Sequence, residues 1–208
     1  NILTMHEGML AARAGCGLTV KAVTARDRHR DRGVDLSKYT WFDNALDMAT
    51  SEEIDIVVEL MGGADGVAKD FAETAIAAGK HLITANKALI ALHGSSLACA
   101  AEEVGVTLGY EAAVAGGVPI VKVLREGLTA NRVDRIYGIL NGTCNYILTA
   151  MAHSGRDFQD VLKEAQSLGY AEEDPSFDID GIDTAHKLSI LACLAFGVEI
   201  DFEGIHIE

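Results

Sequence analysis

Residues 54–87, "IDIVVELMGGADGVAKDFAETAIAAGKHLITANK", carry the pattern that decides the fold. The run 54–60 is almost continuously apolar and β-branched, the composition of a strand covered on both faces of a parallel sheet. "GVAKDFAETAIAAG" (66–79) then reads as a helix closed by Gly79, and "HLITAN" (81–86) as the next strand. Strand, helix and strand in about thirty residues make a βαβ unit.

The same alternation extends in both directions. Downstream, "ALIALHGSSLACAAEEVG" (88–105) is a helix closed by Gly105, and "VTLGYEAAV" (106–114) is a further strand. Upstream, "LTVKAVTARD" (18–27) is a strand ending at Thr24 or Ala25, behind a helix that stops near Gly15 and Gly17. A loose, mixed-charge stretch joins it to residue 54. After "AGGVPIVKVLREGLTAN" the pattern changes. Helices over about 117–130 and 157–168 flank a strand "RVDRIYGIL" (132–140), without a short βαβ repeat. The expected architecture is α/β: a Rossmann-like parallel-sheet nucleotide-binding domain over 1–112, followed without a linker by an α+β domain over 113–208.

Bulk properties narrow the function. A formal charge of -14 argues against nucleic acid, which needs a basic surface to neutralise phosphates. No apolar run reaches the roughly 18 residues of a membrane span. Cys16, Cys99, Cys144 and Cys193 are far apart and form no C-x-x-C, so free thiols in a reducing cytoplasm are expected. The histidines have no ligand spacing, which argues against a transition-metal site.

No G-x-G-x-x-G stands between a strand and a helix. "GCGLTV" precedes a strand and is a false match. The first residues read as the body of a helix, so the glycine turn is expected upstream, in a longer polypeptide. Arg26 follows the strand whose end meets the adenosine ribose in Rossmann folds. It suits the 2′-phosphate of NADP, and equally a solvated loop charge. "ELMGG" (59–63) and "TANK" (84–87) end parallel strands at the carboxyl edge, where ligands bind. This makes Met61, Gly62 and Lys87 candidates.

The acidic stretch "AEEDPSFDIDGID" (171–183) runs into "TAHKLSILACLAF". On a helix, Asp183, Lys187, Ile190, Leu191 and Leu194 share one face. Lys187 thus sits on the inward stripe with an acid one turn before it, as a proton-exchanging lysine requires. Glu172, Glu173, Asp174 and Asp178 are placed to receive a substrate ammonium. The plainer alternative is a helix N-terminus with Asp180 as N-cap, Asp183 on the dipole and Lys187 running along the core edge.

"VVELMGG" (57–63), "AAGKHLITANKALIA" (77–91), "EAAVAGGVPIVKVLREGL" (111–128), "GILNGTCNYILTAM" (138–151) and "SLGYAEEDPSFDIDGIDTAHKLSILA" (167–192) together resemble homoserine dehydrogenases. The resemblance covers nearly the whole chain. It implies reduction of aspartate 4-semialdehyde to homoserine with NADPH or NADH, on the route to threonine and methionine. By position it implies Lys187 as proton donor and acceptor. Glu172 and Asp183 would hold substrate, with Asp178, Tyr170 and Thr143 close by, and Lys87 and Gly169 would lie at the cofactor. Glu111, Val114, Gly116 and Val118 resemble a monovalent-cation site, such as for Na+, in a loop that also reads as a plain interdomain turn. A cytoplasmic homodimer or homotetramer is expected, as a segment lacking the N-terminal glycine-rich turn and the C-terminal part. Two competitors remain. One is a thioester-forming semialdehyde enzyme using Cys144. The other is a non-catalytic assembly module.

Overall fold

The computed structural model describes residues 2–208. The first helix is broken into α1 (Ile2–Met5) and α2 (Glu7–Ala14), and Gly15 caps it in the left-handed conformation, as the sequence suggested. The strand after it is short, β1 (Ala22–Thr24), and ends at Thr24. The loose stretch hides two elements the composition did not betray. These are β2 (Thr40–Phe42), parallel to β1, and α3 (Ala45–Ala49), capped by the Asn44 side chain accepting from the Leu46 N–H.

The βαβ centre appears as expected: β3 (Ile56–Glu59), α4 (Val67–Ala77), β4 (His81–Thr84) and α5 (Lys87–Val104). β5 is confined to Leu108–Gly109, giving a parallel sheet in the order β3-β4-β5. The remainder of the expected strand, Glu111–Val114, is instead a helical turn, α6. Its Glu111 side chain is committed to a neighbouring helix end, which favours a turn over a ladder.

Expected two-sided covering of the sheet does not hold among the described residues. Val57, Glu59, Leu82 and Thr84 are buried, while Ile56, Val58 and Ile83 on the other face are exposed. α1 and α2 bury no residue and give that face no cover.

Beyond residue 115 the helix expected over 117–130 shrinks to α7 (Ile120–Lys122) running into a π-turn, Val123–Gly127. Residues 132–140 belong to no ladder, because no other strand among the described residues pairs with them. Then come α8 (Gly142–Ser154), which the sequence reading missed, α9 (Phe158–Ser167), the short α10 (Ser176–Ile179) and α11 (Ile182–Phe196).

Two apolar clusters hold these elements. The larger runs from Met48, Val57 and Phe71 through Leu89 and Leu97 to Val121, Ile190 and Leu191, so α11 packs on the same core as the sheet. The smaller joins α8 to α9 through Ile147, Val161, Leu162 and Ala165. Continuity of the larger core across residue 112 brings the head of α11 to the carboxyl edge of β4.

Candidate active site

Two polar nodes lie at that edge. The first is built on Glu59, the last residue of β3 and 1% exposed. Its Oε1 accepts from the Met61 and Gly62 N–H groups at 2.5 and 3.2 Å. Its Oε2 accepts from the Thr84 hydroxyl at 2.5 Å. Thr84 Oγ1 in turn accepts from the Asn86 N–H at 2.9 Å, and Asn86 Nδ2 donates to the Gly63 carbonyl at 2.6 Å. Asn86 Oδ1 caps α5 by accepting from the Leu89 N–H at 3.1 Å. The chain turns here on Gly62 and Gly63, both left-handed at φ 79° and 82°, with nothing within 4 Å of where a Cβ would stand. Sequence reading found Met61 and Gly62 but not Glu59, Thr84 and Asn86, which shape that turn. The available signal was a carboxylate inside an apolar strand, which burial makes costly unless satisfied.

The second node is built on Asp183, in the first turn of α11 and 2% exposed. Asp183 Oδ2 accepts from Lys187 Nζ at 2.7 Å and from Asn141 Nδ2 at 2.8 Å. Asp183 Oδ1 lies 2.5 Å from Lys87 Nζ, at the start of α5. That contact is an ion pair off the hydrogen-bond direction. Burial pushes the Asp183 carboxyl up, but Lys187, then Lys87 and Asn141, outweigh it and hold it below its ordinary value. Lys187 Nζ also donates to the Leu140 carbonyl at 2.9 Å. Asp178 joins through Asn141 Nδ2 at 2.7 Å, and Thr143 Oγ1 sits 3.1 Å from Asp178 Oδ2 and 2.7 Å from the Tyr170 carbonyl.

Lys187, Asp183, Asp178, Thr143, Tyr170 and Lys87 are therefore one connected network, although Tyr170 enters by its backbone while its ring stacks on Tyr146. The helix-face argument holds: Asp183, Ile190 and Leu191 are buried, and Lys187 is partly so. Asp180 does not cap α11. Gly181 occupies that position at φ 76°, where a Cβ would also meet Ile207 at 2.7 Å.

Glu172, Arg26, Gly169 and the Glu111 loop stand apart from both nodes. Glu172 is exposed, and only its carbonyl is engaged, by Gln166. Arg26 is exposed just past β1. Gly169 is a left-handed residue behind α9. Glu111 accepts from the Val121 and Lys122 N–H groups at 2.8 and 2.9 Å, closing the start of α7, with Val114 buried and Gly116 and Val118 exposed nearby. Cys144 is a poor nucleophile, because burial, then the Asp178 and Asp183 charges, push its thiol up.

Between the nodes lies a cavity of about 510 Å³ lined by Gly62, Gly63, Asn86, Lys87, Phe177 and His186, among others. Lys87 Nζ stands 5.3 Å from the Phe177 ring centre. His186, which the sequence reading did not single out, forms part of this wall. Burial, then the charge of Lys87, lowers its pKa and favours the neutral ring. Among the described residues no group of three His, Cys, Asp or Glu side chains is arranged to hold a metal ion. No described helix is long and apolar enough to cross a membrane.

The comparisons with known proteins agree with this geometry. Residues 4–111 match the family model "Homoserine dehydrogenase, NAD binding domain", and residues 119–208 match the model "Homoserine dehydrogenase". The homoserine dehydrogenase of Pseudomonas aeruginosa is 48% identical over 208 residues, covering 100% of this chain and 47% of that protein. The crystal structure of a homoserine dehydrogenase from Thiobacillus denitrificans superposes with a TM-score of 0.94 at 47% identity, covering 100% of this chain and 48% of that one. A hyperthermophilic archaeal homoserine dehydrogenase in complex with NADPH superposes with a TM-score of 0.71 at 26% identity, covering 97% of this chain and 60% of that one. The chain spans about half the length of the relatives it matches. Both family models together span nearly the whole of the described chain, and the chain belongs to the homoserine dehydrogenase family.

Proposed function

We propose that the protein catalyses the reversible NAD(P)H-dependent reduction of L-aspartate 4-semialdehyde to L-homoserine. The observation that carries this reading is Asp183 held between Lys87 and Lys187, which ties the edge of the sheet to the head of α11. The open cradle at Gly62 and Gly63, beside Asn86 and Lys87, fits a nicotinamide cofactor; Arg26 suits the 2′-phosphate of NADP, and Gly169 is assigned to the cofactor by the family resemblance alone. When bound, the reduced nicotinamide supplies the hydride.

Lys187 gives a proton to the aldehyde oxygen as the carbon is reduced, and takes it back from the hydroxyl in the reverse direction. Asp183 keeps that ammonium in place, so little reorganisation is left for the reaction itself. Glu172 and Asp183 hold the substrate through its α-ammonium, with Asp178, Thr143 and Tyr170 close by. Glu111 and the carbonyls of Val114, Gly116 and Val118 are all hard oxygen donors, the chemistry that suits a monovalent cation such as Na+. Both Glu111 oxygens keep a lone pair beyond their N–H partners, so the residues fit such an ion. We read residues 1–112 and 113–208 as its two domains, and the protein as a cytoplasmic homodimer or homotetramer.

The test is turnover. Full-length enzyme incubated with homoserine and NADP or NAD should generate the absorbance of the reduced nicotinamide. No turnover with either cofactor would reject the reading.

A further inference from the structure

Asn141 is a residue that neither the charge pattern nor the helix-face argument singled out. It precedes α8, is buried, and uses its whole side chain. Its Oδ1 accepts from the Cys144 N–H at 2.8 Å, which caps α8. Its Nδ2 donates to Asp178 Oδ1 at 2.7 Å and to Asp183 Oδ2 at 2.8 Å. Only a primary amide offers an acceptor on one side and two N–H groups on the other in so short a side chain.

We propose that Asn141 is a positioning residue: it clamps the carboxylates of Asp178 and Asp183 together, fixing the one that holds Lys87 and Lys187 against the one that faces the substrate. Two carboxylates on separate elements, α10 and α11, repel each other, and a neutral donor shared between them offsets that repulsion without adding charge. The clamp also leaves Asp183 Oδ1 to Lys87 while Oδ2 takes Lys187, so both ammoniums are aimed from one anchor. Asn141 itself need not touch substrate.

This inference rests on the dehydrogenase reading, and its test separates the two. Asn141→Asp and Asn141→Ser both keep a good N-cap for α8, but neither donates to both carboxylates. The groups facing Asp183 are Lys87 from α5, Asp178 from α10, Cys144 from α8, and Lys187 and His186 from α11. With Asn141→Asp a third carboxylate enters, one of the three retains its proton to higher pH, and the acidic limb of the kcat/KM profile moves upward.

In full-length enzyme both variants should keep the wild-type circular dichroism, melt below the wild type, with Asn141→Asp the lower, and lose about ten- to hundred-fold in kcat/KM for homoserine, the scale of a charge-assisted hydrogen bond. Wild-type kcat/KM and pH profile in Asn141→Ser would overturn the proposal. So would a kinetic loss in Asn141→Ala that both capping variants restore, since Asn141 would then serve α8 alone. A wild-type enzyme without turnover would reject the dehydrogenase reading and leave a direct measurement. Carboxyl-carbon NMR titration should then still show Asp183 shifting to higher pKa in Asn141→Ser, and an unchanged titration would reject the clamp.

Discussion

Glu59 and Asp183 are almost equally buried, yet their surroundings differ in kind. Glu59 is closed by neutral donors: two backbone N–H groups and a hydroxyl. Asp183 shares two ammonium groups and one amide, with Asp178 beside it. A carboxylate satisfied by neutral donors holds a turn and exchanges nothing. One that anchors two partly exposed ammoniums aims charged donors from one point at the edge of a cavity. The same side-chain chemistry thus serves shape at the end of β3 and, in the proposed mechanism, reactivity at the head of α11, and the partners decide which.

The largest expected effect strikes the reactive node. Lys187→Ala should lower kcat by about 10²–10⁴-fold, the usual cost of losing general acid–base help, with circular dichroism and cofactor binding close to wild type. A near-normal kcat would remove the distinction between the nodes.

Asp183→Asn comes next and should act on both kinetics and stability. It leaves Lys87 and Lys187 without their anion, so KM for homoserine rises, and stability falls by about 1.5–3 kcal/mol, the scale of a hydrogen bond to a charged group. The pH dependence has a definite sign. Asp183 is held below the ordinary value of 3.8, so its contribution is complete above that value and is lost as pH falls through the lowered pKa. Denaturant melts of wild type and Asp183→Asn should therefore differ at neutral pH and converge in strong acid. If the substitution lowers stability but leaves KM and the pH–rate profile alone, Asp183 is merely a helix-terminal acid.

Glu59→Gln sharpens the contrast from the other side. It replaces an oxygen acceptor with an NH₂ facing N–H donors or a hydroxyl, at a cost of about 1–3 kcal/mol. The expected signature is a lower melting temperature and weaker cofactor binding, with the pH–rate profile unchanged. The smallest effect belongs to Arg26→Ala, an exposed charge that should raise KM for NADP about two- to five-fold and leave NAD unaffected. Equal changes for both cofactors would make Arg26 a loop charge.

The sequence by itself determined what local periodicity and glycine placement encode. The apolar runs at 54–60 and 81–86, the helices closed by Gly79 and Gly105, and the buried stripe of α11 all follow from period and cap. Lys187 and Asp183 were legible for the same reason, since i and i+4 on a helix meet wherever the helix goes. Lys87 was legible only as the end of a strand, because its partner lies almost a hundred residues away. Pairing Lys87 with Asp183, seating Asn141 between two carboxylates and closing Glu59 with Thr84 are tertiary events, set by the packing of α11 on the same core as the sheet. Tertiary context also decided against local propensity at 132–140, where a stretch rich in β-branched residues finds no partner strand among the described residues, and at Glu111–Val114, where a side chain bound to the next helix accompanies a helical turn in place of the expected strand. Period and caps are properties of neighbours along the chain. A hydrogen-bond partner far along the chain is not, and that is where the chemistry of this site was made.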